Sequence, residues 1–134
     1  MAQLTQEMMD FIKSSKAFAL ATATRTGEPN VVPVGAVFLM DAETIWIGNQ
    51  FMKTTIANLK ENPRAALTVW TPGVKGCYKL KGNISILDSG EDYEKMKGMV
   101  SAKRADLFCK SLLVFRITEV YQCASGPDAG KRLL

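Results

Sequence analysis

The chain has 134 residues, with 17 basic and 13 acidic side chains, three cysteines and no histidine. At roughly 100–200 residues per domain this is a single domain. The missing imidazole excludes Ser-His-Asp and Cys-His nucleophile pairs, histidine-bearing zinc sites and histidine-ligated haem. The composition, 47% apolar and 22% charged, is that of an ordinary globular protein. Cys77, Cys109 and Cys123 form no CxxC and no even set, which reads as reduced thiols in a reducing compartment. No apolar run approaches the roughly 18 residues of a membrane span, and Glu7 and Asp10 interrupt any signal-peptide core. A cytoplasmic protein is expected. The net charge of +4 is spread along the chain and points to no nucleic-acid partner.

Leu4, Met8, Phe11 and Ile12 recur at helical spacing, with Thr5 as the N-cap, and predict a helix within residues 1–15. Residues 17–24 read as a strand closed by the turn Arg25-Thr26-Gly27-Glu28-Pro29. Residues 30–40 form a second β-rich run, and residues 44–48 a third after the turn at Asp41, so three strands in meander order are expected. A two-turn helix begins at Thr54 or Thr55 and ends at Asn62-Pro63, since the residue before proline leaves the α region. Residues 65–70 and 75–87 are two further strands around Thr71-Pro72-Gly73. Residues 91–100 carry Tyr93, Met96, Met99 and Val100 at helical spacing, and residues 102–109 suit a short second helix. Residues 111–122 alternate as a last strand, and a mobile tail is expected over 124–134. Six strands with inserted rather than alternating helices argue against repeated βαβ units. A closed or nearly closed antiparallel barrel is the better fold class, mainly β with peripheral helices, and closure removes exposed edges.

Two segments carry chemistry. In Trp46-Ile47-Gly48-Asn49-Gln50-Phe51-Met52-Lys53-Thr54-Thr55 a strand ends at glycine, crosses a polar loop and enters a helix. One ammonium, two hydroxyls and free backbone N–H groups at a helix N-terminus suit a phosphate. The alternative is a plain surface helix capped by Thr54 or Thr55, with Lys53 a solvated charge. In Pro29 to Val37 two prolines and a glycine interrupt a good strand, leaving unpaired main chain where a planar ligand can lie. A bulge or barrel corner explains the same residues. No metal-ligand spacing is present. Trp46 and Trp70 read as core or interface aromatics, the methionines as gap fillers, and the three cysteines as buried small apolar side chains.

The order of these segments resembles a known family. The run F-A-L-A-T-A-T-x-x-G-x-P-N-V-V-P-x-G from Phe18 to Gly35, the strand end at Ile47-Gly48-Asn49, Lys53-Thr54 before Asn58-Leu59 and Asn62-Pro63-Arg64-Ala65-Ala66-Leu67, and the later Leu80-Lys81-Gly82 carry the likeness. Together they are similar to the FMN-binding split-barrel, or pyridoxamine 5′-phosphate oxidase-like, superfamily over residues 5 to about 122. The resemblance implies a six-stranded antiparallel split barrel that dimerises with itself and holds FMN at the interface. It implies that Lys53, Thr54 and Thr55 hold the phosphate. It also implies that Val32, Pro33, Val34, Gly35 and Ala36, with Ile47, Gly48 and Asn49, line the ribityl chain and ring. Cys77, Tyr78 and Lys79 match a stretch that reaches the flavin of the other protomer.

Departures matter equally. The oxidase proper carries R-x-V-L-L-K where this chain reads Val32-Pro33-Val34-Gly35-Ala36-Val37, and its C-terminal histidine is missing. Genuine pyridoxamine 5′-phosphate oxidase activity is therefore not expected. A small FMN-dependent oxidoreductase or flavin reductase is, because the cofactor carries the redox chemistry and the protein supplies binding and electrostatics. Lys79 and Lys81 are candidates to stabilise reduced flavin. The alternatives are a non-catalytic FMN carrier or electron-transfer module, an F420-dependent reductase of the same fold, and a binding domain that has lost its cofactor.

Overall fold

The computed structural model describes residues 2–134. Helix α1 (Gln6–Ser14) starts where Thr5 Oγ1 accepts the Met8 N–H at 3.2 Å, the expected cap, and it buries Met8 and Ile12. The expected run over residues 30–40 is divided into β2 (Pro29–Pro33) and β3 (Val37–Leu39), so with β1 (Ala17–Ala23) and β4 (Thr44–Asn49) the first half holds four strands. After α2 (Thr54–Glu61) come β5 (Arg64–Thr71), β6 (Val74–Leu87), α3 (Glu91–Lys103) and β7 (Ser111–Gln122). There are thus seven strands rather than six, in one curled antiparallel sheet of order β2-β1-β5-β6-β7-β4-β3.

The division explains both prolines and the glycine. Val34 N–H donates to Phe18 O at 3.0 Å, so residues 30, 32 and 34 face β1 and the nitrogens of Pro29 and Pro33 point to the free edge, where no ladder donor is lost. Two residues on, Ala36 O accepts the Gly48 N–H at 2.8 Å and the chain has changed partner to β4. Gly35 is the step between the two ladders. The expected meander is therefore broken: β2 and β3 are opposite edges of the sheet, and the barrel is split along the seam they form.

Inside the curl lie Leu20, Ile45, Ile47, Leu67, Val69, Leu80, Phe115, Ile117 and Val120, with Met8 and Ile12 of α1 and Leu59 of α2 closing it. A second cluster, in which Trp46, Leu112 and Val114 meet Tyr93, Met96, Val100 and Cys109, seats α3 on the outside of β4 and β7. β4 is consequently buried on both faces. Gly82 sits at a bulge in the β6–β7 ladder, where a Cβ would stand 2.0 Å from the Arg116 carbonyl oxygen.

Two terminal expectations change. The short helix over 102–109 is absent, because α3 ends with Arg104 N–H on Val100 O and Arg104 turns onto Asp106 at 2.9 Å. Tyr93 Oη then holds the Cys109 carbonyl at 3.0 Å. The residues expected as a mobile tail lie along β7 beyond the reach of β4: Gly130 N–H donates to Gln122 O and Leu133 N–H to Val120 O, at 2.8 and 2.7 Å. Leu133 and Leu134 pack on the core there.

Candidate functional site

At the seam, Val32, Pro33, Val34, Gly35 and Ala36 line a cleft of about 240 Å³ with Gly48, Gln50, Phe51 and Met52. A larger cleft of about 550 Å³ continues past Gly35, Ala36, Gln50 and Phe51 to Phe38, Leu107, Lys103 and Arg104. The two thus form one groove on either side of the strand break. Gly48 makes the close approach possible: a Cβ there would stand 2.8 Å from Cys109 Sγ and 3.1 Å from Ala36 Cβ.

Not every residue of the expected set faces this groove. Ile47 is fully buried in the barrel core. Asn49 is also buried and shapes the loop instead: its Nδ2 donates to Ser111 Oγ, its Oδ1 accepts the Met52 N–H, both at 2.9 Å, and its carbonyl takes the Lys110 N–H at 2.7 Å. These bonds turn residues 50–52 outward and leave Phe51 81% exposed over the groove. Sequence reasoning misses Gln50, Phe51 and Met52. Their only signal is an aromatic in a polar loop.

Lys53 directly follows this loop. It occupies the N-cap position of α2, with no side-chain cap bond, so neither Thr54 nor Thr55 caps the helix as expected. The first N–H groups of α2 are left open to a ligand. Lys53 and Thr54 are exposed, and Lys53 forms no salt bridge among the described residues. Thr55 is buried and accepts Asn30 Nδ2 at 3.2 Å, while Asn58 Nδ2 donates to Thr22 Oγ1 at 3.1 Å. These two polar pairs hold α2 against β1 and β2, fixing its N-terminus beside the groove.

Cys77, Tyr78 and Lys79 lie on β6, away from the groove of their own chain. Tyr78 packs edge-on against Phe11 at 5.0 Å, and burial raises its phenol above the ordinary value, with the Glu7 charge adding to the shift. Lys79 and Lys81 both stand over the Tyr121 ring, at 5.0 and 5.1 Å. They belong to the outer face of the sheet, where Ala17, Ala19, Ala21 and Ala23 of β1 alternate with inward residues and register with Thr68 and Ala66 of β5. α1 and α2 bury their apolar residues in the barrel core and α3 covers β4 and β7, so among the described residues no helix covers this alanine-rich face.

The family model described as pyridoxamine 5′-phosphate oxidase matches residues 4–124. The chain belongs to this family. An uncharacterized protein of Methanocaldococcus jannaschii is 38% identical over 132 residues, which is 96% of this chain and 87% of that protein. Among solved structures, HupZ of Group A Streptococcus superposes with a TM-score of 0.81 at 24% identity, covering 95% of this chain and 99% of that one. An FMN-binding protein from Syntrophomonas wolfei gives 0.76 at 22% identity, covering 87% and 84%. These likenesses establish the split-barrel fold of the pyridoxamine 5′-phosphate oxidase family.

Proposed function

We propose that this family member is a homodimeric FMN-binding flavoprotein acting as a small oxidoreductase. One observation carries the reading: the strand break at Gly35 opens a groove of main chain and apolar side chains directly beside an uncapped helix N-terminus bearing an unpaired lysine. A flat ring and a terminal phosphate need those two features side by side.

The residues present fit the group. Lys53 and the open N–H groups at the start of α2 would hold the phosphate, charge against charge. Val32 to Ala36, with Gly48, would support the ring along the seam, and Phe51 and Met52 would cover it from the loop. Bound FMN supplies hydride or single-electron transfer. The chain's own part is to orient the ring, exclude water and place cations near the charge that reduction adds. The groove formed by the two clefts is open to solvent on one side. A second copy seated on the uncovered alanine face would complete it, and would bring its own β6 lysines, Lys79 and Lys81, within the assembly.

The test is a titration of the purified protein with FMN, riboflavin and F420. FMN should bind, and riboflavin, which lacks the phosphate, should bind about tenfold or more weakly. Protein that is colourless and takes up no FMN overturns the reading, and preference for F420 moves it to the deazaflavin branch. Slow reduction of bound FMN by NADH and NADPH, together with slow reoxidation by any acceptor, assigns a carrier rather than an enzyme.

A further inference from the structure

We propose that Cys77 and Cys123 form a redox-active dithiol, away from the groove and α2 of their own chain, that exchanges with small anionic disulfides. The pair is invisible in the sequence, where the two residues stand far apart and the count of three is odd. The fold sets them opposite each other. Tyr78 pairs with Gln122, and one step further the Cys123 N–H donates to Cys77 O at 3.0 Å. Residues opposed in a hydrogen-bonded antiparallel pair have Cα atoms about 5.5 Å apart, inside the roughly 4.4–6.8 Å that a disulfide spans. Both side chains leave the same face of the sheet, and both line one open cleft of about 500 Å³.

That cleft names the class of partner. Its walls are Trp70, Gly76, Ala124 and Ser125, and its one charged side chain is Lys75, with no carboxylate. An anionic disulfide is favoured over a cationic one on that ground. The two thiols divide the work. Cys123 is exposed and meets the reagent, whereas Cys77 is half-buried, and burial followed by the neighbouring Cys123 pushes its thiol up to about 11. The Cys123 thiolate attacks one sulfur of the reagent disulfide, forming a mixed disulfide and expelling one thiolate. Cys77 then loses its proton and attacks Cys123 Sγ, forming the Cys77–Cys123 bond and expelling the second thiolate. Two protein thiols are oxidised and one disulfide is reduced to two thiols. Cys109, buried beneath α3, takes no part. None of these steps involves flavin.

The experiment exposes the reduced full chain to glutathione disulfide under native conditions and follows it by intact mass and peptide mapping. The expected product has lost two hydrogens and carries a Cys77–Cys123 linkage, with Cys109 still a thiol. Cys77→Ser should stop at a single glutathionyl adduct on Cys123, Cys123→Ser should form neither product, and Cys109→Ser should behave as wild type. Cystamine, a cationic disulfide, should react at least several-fold more slowly than glutathione disulfide. The proposal is overturned if Cys123 stays unmodified in the wild type, or if the wild type also halts at the glutathionyl adduct. These two outcomes are read on unsubstituted protein, so they decide the matter even where a variant fails to fold.

Discussion

Gly82 and Asn49 show how single positions decide this structure. At Gly82 a methyl group would meet a backbone carbonyl at 2.0 Å, and main chain in the middle of the β6–β7 ladder cannot step aside. Gly82→Ala should therefore cost at least about 3 kcal/mol, read from the urea midpoint at constant m-value. Asn49 works differently, since its side chain ties two segments and is not itself among the lining residues of the groove. Asn49→Ala strands the buried Ser111 hydroxyl and the Met52 N–H, for about 1–3 kcal/mol of stability. It should also weaken FMN binding, because residues 50–52 lose their anchor. Loss of stability without loss of FMN affinity would remove the loop from the site. Cys77 adds a pH dependence. Burial, then the Cys123 contact, raises its thiol from 9.0 to about 11, so the folded chain holds that proton more tightly than the unfolded one. The resulting stabilisation is complete below pH 9.0 and is lost as the pH rises through about 11. Urea midpoints across that interval should fall, and Cys77→Ser should flatten the fall.

At the scale of elements, α2 is the part that connects fold to site. Its eight residues form barely two turns, too short to be helical on propensity alone, and its position depends on Thr55 with Asn30 and Asn58 with Thr22. Asn58→Leu or Thr22→Val alone leaves a buried partner unsatisfied and should cost about 1–3 kcal/mol. The double variant should cost less than the sum of the two, measured as a double-mutant cycle. Strict additivity would mean that the pair is not coupled. These pairs also mark the limit of what the sequence reveals. α1 is readable because Thr5 and the Leu4-Met8-Phe11-Ile12 spacing are local signals. The seam is readable in part, because two prolines and a glycine are conspicuous in a strand, but not that the run changes partner there. Which ladder takes up residues 36–39 depends on β4, a separate strand beyond the next turn, and no local pattern encodes it. The same holds for Thr55, which reads as a cap and acts as a dock, and for Cys77 and Cys123, which only the β6–β7 register brings together. The tail after Cys123 is rich in glycine and polar residues, yet it is held by the free edge of β7, a partner that local composition cannot show.

For the whole molecule the uncovered sheet face is the decisive feature. Val31 is 64% exposed there, and Ala19, Ala21, Ala66 and Thr68 present only small side chains, which would let a second sheet approach closely. Soluble monomers seldom leave such a face bare. The groove, meanwhile, is open on one side. Under the proposed function a single assembly would answer both facts: the face of one copy would close the groove of the other, and dimerisation and FMN binding would then depend on each other by linkage. Ala21→Arg places a charge at the centre of the face, at a position that is not among the lining residues of the groove. The chain should keep its circular dichroism spectrum, run as a monomer in sedimentation, and bind FMN at least about tenfold more weakly, a change of roughly 1.4 kcal/mol. The wild type should show FMN occupancy that falls on dilution through the dimer dissociation constant. A monomeric Ala21→Arg variant with unchanged FMN affinity would place the complete site within one chain, and a variant that stays dimeric would move the interface off this face.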